Sequence, residues 1–243
     1  MCSSDLMLVI LPFEKDFYAK HHYHVDFVGH PLLDAVMNYD KNETTGSHVA
    51  NANDQDKRPL IALLPGSRKQ EIKTILPIML SAVHHFPEYR FLIAAAPSQD
   101  ISYYRQFLTG NQIEVVSGRT YDVLREAKAA LVTSGTATLE TALFNVPEVV
   151  CYKGNKLSYL IARSLVKIKF ISLVNLIMDR EIVRELIQVE LNTTNLVKEL
   201  KEILSSDGQL RMKEHFLQLR LKLGGSGASS KAAQLIVDYL SHS

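Results

Sequence analysis

The chain has 243 residues, 47% hydrophobic and 22% charged, enough apolar material for one large or two small globular domains. Its formal net charge of +1 excludes a global field of the kind that draws nucleic acid, so any anion site must be local. Two cysteines, Cys2 and Cys151, make no disulfide framework and fit a reducing cytoplasm, and no apolar run reaches the length of a membrane span.

The opening MCSSDLMLVILPFE has no basic leader and turns acidic at once, so it does not read as a signal peptide; Met7–Phe13 reads as a strand. Glu14–His21 reads as a helix and Val25–Val28 as a second strand, followed by GHPLLDAV at Gly29–Val36. Asn38–Lys57 carries almost no large apolar side chain and reads as a surface loop or linker, because it cannot bury enough surface to offset its ordering entropy. From Arg58 the chain alternates. Strands are expected at Pro59–Leu64, Arg90–Ala96, Ile113–Val116, Ala130–Thr133 and Pro147–Tyr152. Helices are expected at Ser67–Phe86, Ile101–Leu108, Tyr121–Ala127, Gly135–Phe144 and Leu157–Val166. Short continuous apolar runs alternating with helices imply a Rossmann-like parallel sheet covered on both faces, an α/β fold. Beyond Ile171 the pattern turns helical, at Ile182–Val189, Thr194–Leu204, Gln209–Leu223 and Ala228–Leu240.

Three segments could carry chemistry. In LLPGSRKQEI (Leu63–Ile72), Pro65-Gly66 makes a turn and Ser67 with Gln70 fits a capping box, which places Arg68 in the first helical turn at the carboxyl edge of the sheet. An arginine there can grip a phosphate through two parallel hydrogen bonds, or be no more than a solvated side chain on a capped helix. In TSGTATLETALFNVP (Thr133–Pro147), a strand runs into Ser134-Gly135-Thr136, where free N–H groups and the helix dipole make an anion site. Glu140 falls one turn later, placed to accept from ribose hydroxyls or merely to sit near the dipole. In ISLVNLIMDRE (Ile171–Glu181), Asn175 interrupts an apolar run; a buried asparagine must be hydrogen-bonded, and a structural role is favoured over a ligand contact. His21, His22 and His24 have poor metal-ligand spacing. Lys156–Phe170 mixes basic and apolar residues, as does a core helix with a basic outer face or a helix resting on an anionic membrane.

Taken together, LPFEKDFY (Leu11–Tyr18), FVGHPLLD (Phe27–Asp34), LLPGSRKQEI, TSGTATLE (Thr133–Glu140), SLVNLIMDREIVRELIQ (Ser172–Gln188) and LGGSGASSKAA (Leu223–Ala233) resemble lipid-A-disaccharide synthase. The resemblance implies the C-terminal half of a GT-B architecture with a helical tail. Residues 1–37 would then be a remnant of an N-terminal Rossmann-like domain, 38–57 a linker, 58–190 the nucleotide-sugar domain and 191–243 C-terminal helices. It implies an inverting transfer from UDP-2,3-diacylglucosamine to 2,3-diacylglucosamine 1-phosphate, without metal or organic cofactor, on the cytoplasmic face of the inner membrane of a Gram-negative bacterium, with a homodimer open to it. By resemblance, Arg68 meets the diphosphate. Gly66, Ser67, Ser134, Gly135, Thr136, Thr138 and Glu140 surround UDP, and Asn175 faces the substrate cleft. The family's glycine-rich GEASGD-type loop and its general base have no counterpart here, so no catalytic base is assigned. Two other readings stand beside this one: a non-catalytic UDP-binding module or partner subunit, and a UDP-N-acetylglucosamine 2-epimerase-like enzyme.

Overall fold

The computed structural model describes residues 6–42, 56–108, 110, 113–154 and 169–241. The chain forms two compact units: Thr45–His215, and Met1–Thr44 together with Phe216–Ser243.

In the larger unit the apolar runs become a parallel sheet: β3 (Leu60–Leu64), β4 (Arg90–Ala95), β5 (Glu114–Ser117), β6 (Ala127–Thr133), β7 (Glu148–Tyr152) and β8 (Arg184–Ile187). Their spatial order is β5-β4-β3-β6-β7-β8. Side chains alternate between faces along a strand, so Leu60, Ala62 and Leu64 point one way and Ile61 and Leu63 the other. Both sets are buried. The first packs with Val123 and Leu124 of α5 (Thr120–Glu126). The second packs with Ile72, Ile75, Leu76 and Met79 of α3 (Lys69–Ser81) and with Leu196 and Leu200 of α8 (Thr193–Leu204). Two covered faces explain why these strands are continuous apolar runs rather than alternating ones.

The order also fixes where a ligand can enter. From β3 the chain steps outward through β4 to β5; it then returns to the other side of β3 as β6 and steps outward again through β7 and β8. The strand order therefore reverses between β3 and β6, and open α/β sheets bind ligands in the crevice at the carboxyl ends of such a pair. Both glycine-containing turns read from the sequence follow these two strands.

Two expectations are corrected. Ile182–Val189 is not helical: Arg184–Ile187 is the sixth strand, paired in parallel with β7 from Val149↔Arg184 to Tyr152↔Ile187. The sequence REIVRELIQ has helix-forming residues throughout, but the β7 edge offers a complete ladder, and tertiary pairing overrides a weak local preference. Near the N-terminus, the strand expected over Met7–Phe13 shrinks to β1 (Leu8–Val9), because Pro12 opens α1 (Pro12–Ala19) at the first helical position, which suits its missing N–H.

In the smaller unit β1 pairs in parallel with β2 (Asp26–Phe27) across α1. α2 (Pro31–Asn42) runs into the segment expected as a polar loop, whose residues 43–55 lie outside the described residues. The block 191–243 is divided. α8 buries Leu196, Leu200 and Ile203 in the large core, whereas α10 (Ala228–Ser241) packs on α2, and α9 (Ser206–Lys222) belongs partly to each unit. The Asp34 carboxylate of α2 accepts from the N–H groups of Gly227 and of Ser229 at 3.3 Å, so α2 supplies the cap of α10.

Candidate functional site

The first turn begins where β3 ends at Leu64. Gly66 has φ +101°, and a Cβ there would lie 2.8 Å from Glu71 Oε2 and 3.3 Å from Thr133 Cγ2, so glycine is required on both counts. Ser67 is not the helix cap. Arg68, in extended backbone, precedes α3, and Glu71, not Gln70, closes the end: its carboxylate accepts from the Arg68 N–H at 3.4 Å and from the guanidinium at 3.2 Å. The Ser67 carbonyl instead accepts from Gln99 Nε2 at 2.9 Å, which ties the turn to the loop after β4. Tyr104, fully buried, donates its hydroxyl to the Gly66 carbonyl at 3.3 Å and accepts from the Ala96 N–H at 3.1 Å. The Arg68 side chain is 83% exposed, and an exposed ion pair of this kind is worth little, so a phosphate can compete with Glu71 for it.

The second turn begins where β6 ends at Thr133. Ser134 donates its hydroxyl to the Ile171 carbonyl at 2.8 Å, and Gly135 follows at φ +156°. A Cβ on Gly135 would meet no atom of the described residues within 4 Å. The N–H groups of Thr136 and Ala137, which open α6 (Thr136–Leu143), have no intrahelical acceptor and lie at the positive end of its dipole, while that of Thr138 donates to the Gly135 carbonyl at 3.3 Å. Glu140 lies one turn on and accepts from the Tyr121 hydroxyl at 3.2 Å. Burial lifts the Glu140 carboxyl above its ordinary range, against the Tyr121 hydrogen bond; burial and this neighbouring carboxylate push Tyr121 up to about 12.

The two turns share one cleft of about 340 Å³. Gly66, Ser67, Arg68 and Glu71 line it from one side, Ser134, Gly135, Thr136 and Glu140 from the other, with Ala96, Pro97 and Thr120 between. Of the residues singled out from the sequence, seven therefore converge and two do not. Thr138 is fully buried and donates to the Gly135 carbonyl at 2.8 Å, bracing the turn from behind. Asn175 is also fully buried and does not face the cleft. Its Oδ1 accepts from Ile182 and Val183 N–H at 2.8 and 3.0 Å, and its Nδ2 donates to the Val183 carbonyl at 2.8 Å and Glu185 Oε1 at 2.9 Å.

Residues 1–239 match the family model described as lipid-A-disaccharide synthetase. The chain belongs to this family. The lipid-A-disaccharide synthase of Psychromonas ingrahamii is 37% identical over 99% of this chain, and that of Syntrophus aciditrophicus 38% over 98%. The chain spans 64% of the length of each of these relatives. Among solved structures, the UDP-GlcNAc 2-epimerase from Neisseria meningitidis bound to UDP-GlcNAc superposes with a TM-score of 0.59 at 14% identity, covering 99% of this chain and 62% of that one. The S. aureus MnaA–UDP co-structure gives 0.64 at 16%, covering 98% and 60%, and the calicheamicin glycosyltransferase CalG4 gives 0.57 at 17%, covering 98% and 52%. At these identities the likeness is one of fold.

Among the described residues no three His, Cys, Asp or Glu side chains are grouped to hold a metal ion, and no helix is long and apolar enough to cross a membrane. The basic–apolar segment Lys156–Phe170 lies outside the described residues up to position 168. Glu71, Tyr104, Tyr121 and Glu185 shape the site or its support without having been singled out from the sequence. For Glu71 a signal existed, a carboxylate three residues after the cap; Tyr104 and Tyr121 reach Gly66 and Glu140, 38 and 19 residues away, and Glu185 acts on Ile171, Ser172 and Asn175.

Proposed function

We propose that this cleft holds the UDP portion of a UDP-sugar, and that the protein takes part in an inverting glycosyl transfer. UDP-2,3-diacylglucosamine is the donor and 2,3-diacylglucosamine 1-phosphate the acceptor, giving lipid A disaccharide 1-phosphate and UDP. The observation that carries the reading is the convergence of Arg68 and the α6 N-terminus on one cleft at the strand-order reversal, within a chain of this family. An acceptor hydroxyl attacks the anomeric carbon, the bond from that carbon to the diphosphate oxygen breaks, and the hydroxyl proton leaves to a base. This chain's residues serve the leaving-group side. Negative charge develops on the departing diphosphate, and a guanidinium together with oriented N–H groups stabilises it in place. Glu140 takes the ribose hydroxyls. Both substrates carry acyl chains, so the reaction runs at a bilayer surface, which we assign to the cytoplasmic face of the inner membrane.

Calorimetric titration with UDP tests the site. Wild type binds. A charge-assisted hydrogen bond contributes roughly 1.5–3 kcal/mol, so Arg68→Ala weakens UDP by about ten- to a hundredfold. Arg68→Lys recovers part of this, because a point charge does not replace a fork. Glu140→Gln weakens UDP and spares pyrophosphate. Unchanged affinity in a folded Arg68→Ala variant would remove the assignment.

A further inference from the structure

We propose that Glu185 is a positioning residue for the anion-binding turn, acting through Ile171 and Ser134. The starting observation is the number of donors on one buried carboxylate. Glu185 Oε2 accepts from the Ile171 N–H at 3.0 Å. Oε1 accepts from the Ser172 N–H at 2.9 Å, the Ser172 hydroxyl at 2.7 Å and Asn175 Nδ2 at 2.9 Å. The carboxylate stands on β8, paired to β7, and is 6% exposed. It therefore fixes the backbone of Ile171–Ser172 and the N-cap of α7 (Leu173–Met178) to the sheet at one point.

The consequence reaches the cleft in one step. The same Ile171 whose N–H is held by Glu185 offers its carbonyl to the Ser134 hydroxyl at 2.8 Å. Ser134 is the residue between the end of β6 and Gly135, and it lines the cleft. A peptide group is planar, and Ile171 carries its donor and acceptor on adjacent peptides, so anchoring the N–H restricts where the carbonyl can point. Ser134 thus rests on an acceptor whose position a buried carboxylate sets. Asn175 belongs to this support: its amide meets Glu185 on one side and the entry to β8 on the other. The SLVN segment and Glu185 work as a brace behind the site.

Glu185→Gln keeps the size and replaces one acceptor oxygen by an NH2 group, which then faces a donor. Two readouts separate positioning from bulk stability. The first needs no ligand: amide exchange of peptides covering residues 134–140, at a temperature where the variant is folded, runs faster than in wild type while β3–β4 exchange is unchanged. The second rests on the UDP reading proposed above. Glu185→Gln and Ser134→Ala each weaken UDP by about tenfold, and the double variant is no weaker than the weaker single, because both break one chain of contacts. Local exchange identical to wild type overturns the proposal, as do losses that multiply in the double variant. If wild type binds no UDP, the functional reading falls and the exchange arm alone decides the brace. Should Glu185→Gln not fold, Ser172→Ala, which removes one donor and keeps the carboxylate, replaces it with the same expected directions.

Discussion

Two buried carboxylates on neighbouring strands show how environment decides the behaviour of one residue type. Glu185 is met by four donors, whereas both carboxylate oxygens of Glu148, fully buried at the start of β7, have no hydrogen-bond partner among the described residues. Burial, and secondarily Glu185, hold the Glu148 carboxyl well above the usual range, so folding favours its protonated form. The sign follows from linkage. A group whose pKa rises on folding contributes full stability below its unfolded pKa and loses it as pH climbs from there toward the folded value. Glu148→Gln, neutral throughout, should match wild type near pH 4.5 and become progressively more stable than it above, by at most about 1.4 kcal/mol per pH unit. Melting curves from pH 5 to 9 check this, and parallel pH profiles for the two proteins would contradict it. Asn175 teaches the converse. An asparagine inside an apolar run reads from the residues alone as a structural hydrogen-bonding centre, and resemblance moves it to the substrate cleft. The structure uses its side-chain oxygen and nitrogen internally, on Ile182, Val183 and Glu185.

At the scale of elements, the sheet was legible because burial on both faces leaves a plain apolar signature: every residue of β3 is buried. β8 was not, because Arg184 and Glu185 break that signature and Glu185 is made acceptable inside by donors from Ile171, Ser172 and Asn175, ten or more residues earlier. The cleft was legible as two turns at one edge. Its boundaries were not: the α3 cap falls on Arg68, one residue past the expected Ser67, and Glu71 rather than Gln70 closes it, a choice between neighbouring polar residues that only the folded backbone makes. The two turn glycines now make different forecasts. At Gly66 an added Cβ meets Glu71 and Thr133, and the positive φ is strained, so Gly66→Ala should cost about 1–3 kcal/mol and lower the melting temperature by several degrees. At Gly135 the Cβ meets no atom of the described residues within 4 Å and enters the cleft, but the positive φ is strained there too, so Gly135→Ala should lower the melting temperature through the backbone and weaken UDP binding through the cleft. Calorimetry and thermal unfolding on both variants distinguish the cases; a folded Gly135→Ala variant that melts lower but binds UDP as wild type does would show that its space is not used by ligand.

Across the whole molecule, the division into two units was the least legible feature, because it joins segments far apart in the chain. GHPLLD and LGGSGASSKAA match a family separately, but neither string states that they meet. In the structure the Asp34 carboxylate caps α10, and Lys231 Nζ donates to the Phe27 carbonyl at 2.8 Å. An acceptor from a distant segment replaces the Ser, Thr, Asp or Asn that a helix usually carries at its own N-cap; here that position is Gly227, which has no side chain to offer. Asp34→Ala should therefore uncap α10 at a cost of about 1 kcal/mol or somewhat more, since a carboxylate at a helix N-terminus also meets the dipole. The loss should be confined. Hydrogen exchange should rise over residues 228–241 and in α2, while UDP affinity stays as in wild type, because the described residues lining the cleft all belong to the other unit. Asp34→Asn should recover part of the protection, as an amide oxygen still accepts one hydrogen bond but carries no charge. If Asp34→Ala instead weakens UDP binding while α10 keeps its protection, the carboxylate serves the site rather than the helix, and the two-unit account of this residue is wrong.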